Sequence, residues 1–372
     1  MIPGTHPFKP LRIIGLMSGT SMDGIDAAFI ETDGDKDLSF GPFLSVPYAP
    51  EFRTRLSQFI ESAPERGALP TEQLLESELT DLHASAVSAL LDNMNCTAGD
   101  IDLVGFHGQT IWHRPNQKQT WQMGNGEQLA AALSVPVAFD FRTADVDAGG
   151  QGAPLAPVFH SALAQGIEYP VAVVNIGGVA NITWIGSPSE LVAFDTGPGN
   201  GLIDDWVRLR CGTSMDKDGI LAARGKPQMD IVEQMTAVPF FDAPPPKSLD
   251  RFDFKLDPIL ALDVDDGAAT LVALTADCIR RGLQHCPEQP SSLLITGGGR
   301  HNPTLMAALA HQTGLTVEPV ESFGWNGDAV EAQAFAYMAA RCLRDMPITF
   351  PGTTGVTTPQ SGGRLARPAA RR

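Results

Sequence analysis

Strand-like apolar runs alternate with helical stretches along the whole of this 372-residue chain, so the fold class it predicts is α/β, with mixed sheets flanked by helices. A strand, a small-residue turn and a second strand occur near the N-terminus, and a stretch of the same form recurs at 171–185. Length and a hydrophobic content of 43% allow a large core and favour two domains over one. Two like hairpins in such a chain suggest two like domains.

The elements follow in order. Residues 12–31 read as a strand (RIIGLM), a Gly/Ser/Thr turn (SGTSMDG) and a returning strand (IDAAFIE). Residues 71–95 carry Leu74, Leu75, Leu79, Leu82, Val87, Leu90 and Leu91 at helical spacing, and 101–106 resume as a strand ending at GFHGQT. At 171–185, VAVVNI leads into GGVAN and returns as ITWIG. ELVAF is a strand ending at Asp195, and LIDDWVRLR is a helix with Asn200 as its N-cap. Residues 267–282 form a long helix, 292–296 a strand, and 303–314 the helix after it. Glu331 begins a last helix, EAQAFAYMAARCL. The Gly- and Pro-dense stretch 145–157 is the expected crossing between domains, 243–247 a rigid loop inside the second, and 359–372 a mobile, solvated tail.

Composition narrows the function classes. Charged residues make up 19% and the formal net charge is -17, which argues against a nucleic-acid backbone or an anionic membrane as partner. The N-terminal stretch has no apolar core of a signal peptide and no run approaches a membrane span, so a soluble, cytoplasmic protein is expected. The five cysteines are scattered, without a CxxC pair, and read as reduced.

Chemistry concentrates in the turns. Ser18, Gly19, Thr20, Ser21 and Gly24 bring small side chains and backbone N–H groups to the first hairpin turn, where a phosphate chain could approach, and Asp23 could hold Mg²⁺ through water. A tight hydroxyl-rich hairpin is the plainer reading of the same residues. Asn175, Gly177, Gly178 and Asn181 repeat the pattern, and TGGGR at 296–300 adds Gly297 and Gly298 between a strand and a helix. Asp195 ends a strand beside a Gly-Pro-Gly turn, placed either to take a proton or to bond its own turn. His107 suits a substrate hydrogen bond better than a zinc site, since His113 brings no third ligand. Arg142 fits either an anionic substrate or a salt bridge, and Glu331 either a ligand or its helix dipole. DKDG at 216–219 lacks the remaining carboxylates of a calcium loop and reads as a turn.

Together GLMSGTSMDGID, GFHGQTIWH, FDFRTADVDAGGQGAPLAP, VVNIGGVANIT, FDTGPGN, PPPKS, ATLVALTA and TGGGRHNP, in this order between about Ile14 and Ala340, resemble the anhydro-N-acetylmuramic acid kinase family. The resemblance implies an actin-like ATPase (ribonuclease H-like) fold: two α/β domains, 1–145 with about 355–372 and 146–354, around a cleft holding ATP. It implies ATP with Mg²⁺ as cofactors, 1,6-anhydro-N-acetylmuramic acid as substrate, a homodimer, and a place in peptidoglycan recycling. It implies that Asp195 is the catalytic base, that Gly19 to Asp26, including Met22 and Ile25, contact ATP, and that Arg142 and Glu331 face the sugar. Two features depart from the family pattern: LDRFDF follows PPPKS where a Thr-Gly-Arg-Glu run is common, and the C-terminus is longer and more basic. The rival readings are a nucleotide-driven switch and a kinase for an ordinary sugar hydroxyl.

Overall fold

The structure, a computed structural model, describes residues 8–19, 22–62, 65–67, 69, 71–249 and 253–368. The chain divides into two compact units, Met1–Ala162 with Ala329–Arg372, and Leu163–Asp328.

In the first unit β1 (Leu11–Ser18), β2 (Gly24–Thr32) and β3 (Leu38–Pro47) form an antiparallel meander, followed by α1 (Pro50–Ser62) and α2 (Glu72–Asn93). β4 (Leu103–Arg114) then joins β1 in parallel, β5 (Gln119–Met123) doubles back on its far end, and α3 (Gly126–Leu133) leads to β6 (Val137–Phe139), parallel to β4. Short helices α4 (Thr143–Asp147) and α5 (Pro157–Leu163) follow.

The second unit opens with another antiparallel meander, β7 (Val171–Ile176), β8 (Val179–Ser187) and β9 (Glu190–Pro198). Helices α6 (Asn200–Cys211), α7 (Ile220–Arg224), α8 (Met229–Thr236) and the long α9 (Val264–Leu283) come next. β10 (Ser292–Thr296), α10 (Pro303–Thr313) and β11 (Thr316–Pro319) complete it, with β10 parallel to both β7 and β11. The chain returns to the first unit through α11 (Val330–Leu343), α12 (Pro351–Thr354) and β12 (Arg364–Ala366).

The two sheets share one plan. From one edge each runs through the third, second and first strands of the meander and then two strands parallel to the first, giving β3-β2-β1-β4-β6 and β9-β8-β7-β10-β11. That order is the ribonuclease H-like arrangement, and its occurrence twice in one chain is the actin-like plan implied above. Each unit buries its own core: Ile14, Leu16, Phe106 and Trp121 in the first, and Ile182, Phe194, Trp206 and the apolar face of α9 in the second.

Three expectations are corrected. The crossings fall at Ala162/Leu163 and Asp328/Ala329 rather than near 145 and 355. The 145–157 stretch stays with the first unit because the buried carboxylate of Asp145 bonds the Gly152 N–H and the Thr354 hydroxyl. α11 belongs to the first unit because β1 and β4 carry glycines under it: a Cβ at Gly15 would lie 1.8 Å from the Ala332 carbonyl oxygen, and one at Gly105 2.2 Å from that of Phe335. Only glycine allows such backbone approach. The expected mobile tail is ordered as far as it is described, since β12 adds antiparallel to β6 and Gln360 bridges to Thr349; residues 369–372 lie outside the described residues. Asn200 is the first residue of α6 and not its cap, which is Gly199.

Candidate active site

In the second unit the separate glycine-bearing turns come together. The N–H groups of Gly199, Asn200 and Gly201 donate to the carbonyls of Gly178, Gly177 and Gly178 at 3.0, 2.7 and 3.2 Å, so the start of α6 holds the β7–β8 turn by main chain. The Asn200 side chain donates from Nδ2 to Ile176 O at 3.1 Å. A Cβ at Gly297, where φ is +75°, would lie 2.3 Å from Asn175 Oδ1, and one at Gly298 3.4 Å from Asn200 Nδ2. Arg300, almost fully buried, braces the third turn: it donates to Gly297 O (2.9 Å), Glu321 (2.8 Å) and Asp328 (2.7 Å).

Asp195 lies on β9 opposite Asn181 of β8. Its backbone N–H donates to Lys247 O at 3.0 Å, and its Oδ2 accepts the Leu249 N–H at 2.8 Å. The bonding partner is therefore 54 residues downstream, in the stretch after PPPKS, and not the turn that Asp195 itself enters. Burial of the partly exposed Asp195 pushes its carboxyl up to about 7, with the Leu249 N–H pulling the other way. A carboxylate poised there can take a proton near neutral pH.

In the first unit Thr20 and Ser21 lie outside the described residues. The turn beside them is pinned by side chains. Ser18 Oγ donates to Gln109 Oε1 at 2.5 Å and so accepts from the Tyr48 hydroxyl at 2.7 Å, while Gln109 Nε2 donates to Gly19 O at 3.2 Å. Burial pushes Tyr48 up to about 12, which keeps its proton on. Met22 stands at φ 54° with its N–H on Gly19 O. Gly24 lies hard against Val46 O of β3, and the Ile25 side chain is core. Asp23 is exposed and ion-paired with Arg53 at 3.1 Å, while Asp26 is partly buried.

The same unit brings His107, Arg142 and Glu331 together. His107 is not in a turn, because β4 runs on through it for 12 residues, kinked at Gly108 where φ is +75°. Arg142 follows β6 and donates from Nη1 to Gly152 O at 2.7 Å, and from Nε and Nη2 to His107 Nε2 at 3.2 and 3.1 Å. Burial draws Arg142 down to about 10, an effect opposed by the charges of Glu331 and Asp145. His113 bonds Thr120 Oγ1 at 2.8 Å and Gln151 O at 2.7 Å, so it anchors the 145–157 loop.

A family model described as anhydro-N-acetylmuramic acid kinase matches residues 11–367. The chain belongs to that family. Relatives with the same name include one from Rhizorhabdus wittichii, 53% identical over 95% of this chain and 98% of its own, and one from Acidiphilium cryptum, 49% identical over 96% and 99%. Solved structures overlay more loosely. The activator of 2-hydroxyisocaproyl-CoA dehydratase from Clostridium difficile, with bound ADPNP, has a TM-score of 0.45 at 11% identity, covering 89% of this chain and 94% of its own. A ROK family glucokinase from Streptomyces griseus, in complex with glucose and AMPPNP, has 0.37 at 14%, covering 89% and 99%.

As an anhydro-N-acetylmuramic acid kinase family member, the chain is a phosphotransferase with an alcohol group as acceptor. Of the residues singled out in sequence, Asn175, Gly177, Gly178, Gly297 and Gly298 form one cluster, and His107, Arg142 and Glu331 another. Sequence reasoning missed Gln109, Tyr48, Asp145, Leu249 and Arg300. Gln109 stood inside GFHGQT as a polar residue in an apolar strand, a usable signal; Leu249 offers only a backbone N–H, which no side-chain pattern announces. DKDG is a turn, with Asp216 accepting the N–H groups of Leu221 and Ala222 at 2.9 and 3.0 Å. Among the described residues no group of three His, Cys, Asp or Glu could hold a metal, and no helix is long and apolar enough to cross a membrane.

Proposed function

We propose that this kinase uses ATP and water to convert 1,6-anhydro-N-acetylmuramic acid to N-acetylmuramic acid 6-phosphate and ADP. Asp195 takes a proton from the water that attacks the anomeric carbon, the bond from that carbon to O6 breaks, and O6 receives the γ-phosphoryl group. The observation that carries this is the Asp195 carboxyl, raised to about 7 by burial and held through one oxygen by the Leu249 N–H. Phosphoryl transfer needs mainly positioning and charge neutralisation, whereas attack by water needs a base.

The glycine turns of the two units, Gly19 to Asp26 in one and Asn175, Gly177, Gly178, Gly297 and Gly298 in the other, are assigned to ATP. Mg²⁺ takes one or two carboxylates beside phosphate oxygens, so Asp23 suffices as its protein contact through water, without a preformed cluster. The Arg142 guanidinium meets the sugar carboxylate, and Glu331 a sugar hydroxyl. The enzyme works in the cytoplasm as a homodimer, which sedimentation of the purified chain checks.

Reaction in ¹⁸O-water tests the mechanism. Label is expected on the anomeric carbon of the product; phosphorylated product without label would show that Asp195 activates a hydroxyl instead, as in an ordinary sugar kinase.

A further inference from the structure

The fixed orientation of Arg142 has a cause in the residues around it. We infer that His107 is a positioning residue for the reaction: its Nε2 accepts from Arg142 and aims that guanidinium at the sugar, and His107 makes no sugar contact of its own. The inference rests on the reading of Arg142 as a sugar contact.

Arg142 can only donate, so the two N–H groups that meet His107 Nε2 at 3.2 and 3.1 Å require a lone pair there and place the ring proton on Nδ1. His107 is 5% exposed, and its ring lies 4.5 Å from that of Phe335 at 34°, which holds the imidazole plane. Burial and the Arg142 charge hold His107 well below the usual histidine range, so it stays a neutral acceptor. Nδ1 faces the Gly108 backbone without completing a hydrogen bond.

On the other side Gly152 O takes Nη1 at 2.7 Å. That carbonyl cannot drift, because Asp145 Oδ2 holds the Gly152 N–H at 2.6 Å and His113 holds Gln151 O at 2.7 Å. Of the five donors of a guanidinium these bonds leave one N–H on each of Nη1 and Nη2, enough to meet both oxygens of a carboxylate. The histidine and the loop carbonyl thus decide which edge of Arg142 faces outward.

Side-chain length provides the test. A glutamine amide reaches the place of Nε2 and can accept from Arg142, whereas an asparagine amide reaches only the place of Nδ1. In an ADP-release assay with each substrate varied, His107→Phe should raise the KM for the anhydro sugar about 10–100-fold with the KM for ATP unchanged. His107→Gln should recover most of that loss and His107→Asn should not. Recovery by Asn but not Gln overturns the inference in favour of a direct Nδ1 contact with the sugar. Equal loss in all three, with the ATP KM rising too, overturns it in favour of a general packing role. Arg142→Ala separates the levels: an unchanged sugar KM there removes the Arg142 assignment and the inference with it, while a raised sugar KM beside insensitive His107 variants removes the inference alone.

Discussion

The β1–β2 turn of the first unit and the β7–β8 turn of the second occupy the same place in the same sheet plan, yet they are held by different chemistry. The first adds side chains to its main-chain bonds from Met22 and Tyr48: Gln109 bonds both Ser18 and Gly19, and the Tyr48 hydroxyl donates to Ser18. The second is held mainly by main chain, with three N–H groups at the start of α6 donating to Gly177 and Gly178. The same contrast separates the functional groups. Arg142 is aimed by the side chain of His107 and a loop carbonyl, whereas Asp195 is bonded by the backbone at Lys247 and Leu249. A side-chain frame can be cut one atom at a time; a main-chain frame yields only where a glycine acquires a Cβ or a loop moves.

The largest effect should come from the one side chain that a main-chain frame presents. Asp195→Asn keeps an oxygen for the Leu249 N–H and removes only the base, so turnover should fall about 10²–10⁴-fold with nucleotide affinity intact. Steady-state ADP release and calorimetric ATP titration measure the two together; retained turnover would place the base elsewhere, with Glu331 the next residue to replace. The wild-type rate should carry the same signature in pH. With the carboxyl at about 7, activity should fall about tenfold per unit below that value and level off above it.

Smaller effects separate the two kinds of frame. Gly199→Ala would set a Cβ 2.3 Å from Gly177 O, so the main-chain frame must shift, at about 1–3 kcal/mol by thermal denaturation, and the KM for ATP should rise. Gln109→Leu should cost about 1–3 kcal/mol by removing the acceptor of the Ser18 hydroxyl and one of the two donors to Gly19 O, with a milder rise in the KM for ATP. If Gly199→Ala proves harmless and Gln109→Leu severe, the contrast between the frames fails.

Asp195 also sets a pH dependence of stability. The unfolded carboxyl ionises near 4 while the folded one keeps its proton to about 7, so this group's contribution to stability is present at low pH and lost as pH rises through that window. Asp195→Asn should therefore melt higher than wild type at pH 8 and at nearly the same temperature at pH 4.

The sheets were legible because apolar strand-length runs and small-residue turns mark hairpins locally. The unit to which α11 belongs was not, because EAQAFAYMAARCL announces a helix without naming the sheet it covers; that information sits in Gly15 and Gly105, more than 200 positions away. Asp195 was legible as a strand-end carboxylate, but the value to which burial raises it depends on Leu249 and the loop around it. Asp145 is one of two acids in TADVD, and only its bonds to the Gly152 N–H and the returning Thr354 show it to be a buried clasp. Local chemistry was readable, whereas long-range closure was not.

The first unit is interrupted: its sheet begins at Leu11, and the helix that covers the glycine face of β1 and β4 arrives only after Asp328. During synthesis the inserted unit, Leu163–Asp328, has all its strands before the earlier one has its lid. The second unit therefore has the opportunity to mature first, while the older half waits with an exposed apolar face for the last stretch of chain to leave the ribosome. A stop codon just after Asp328 would leave that half unfinished, however complete the rest of the molecule had become.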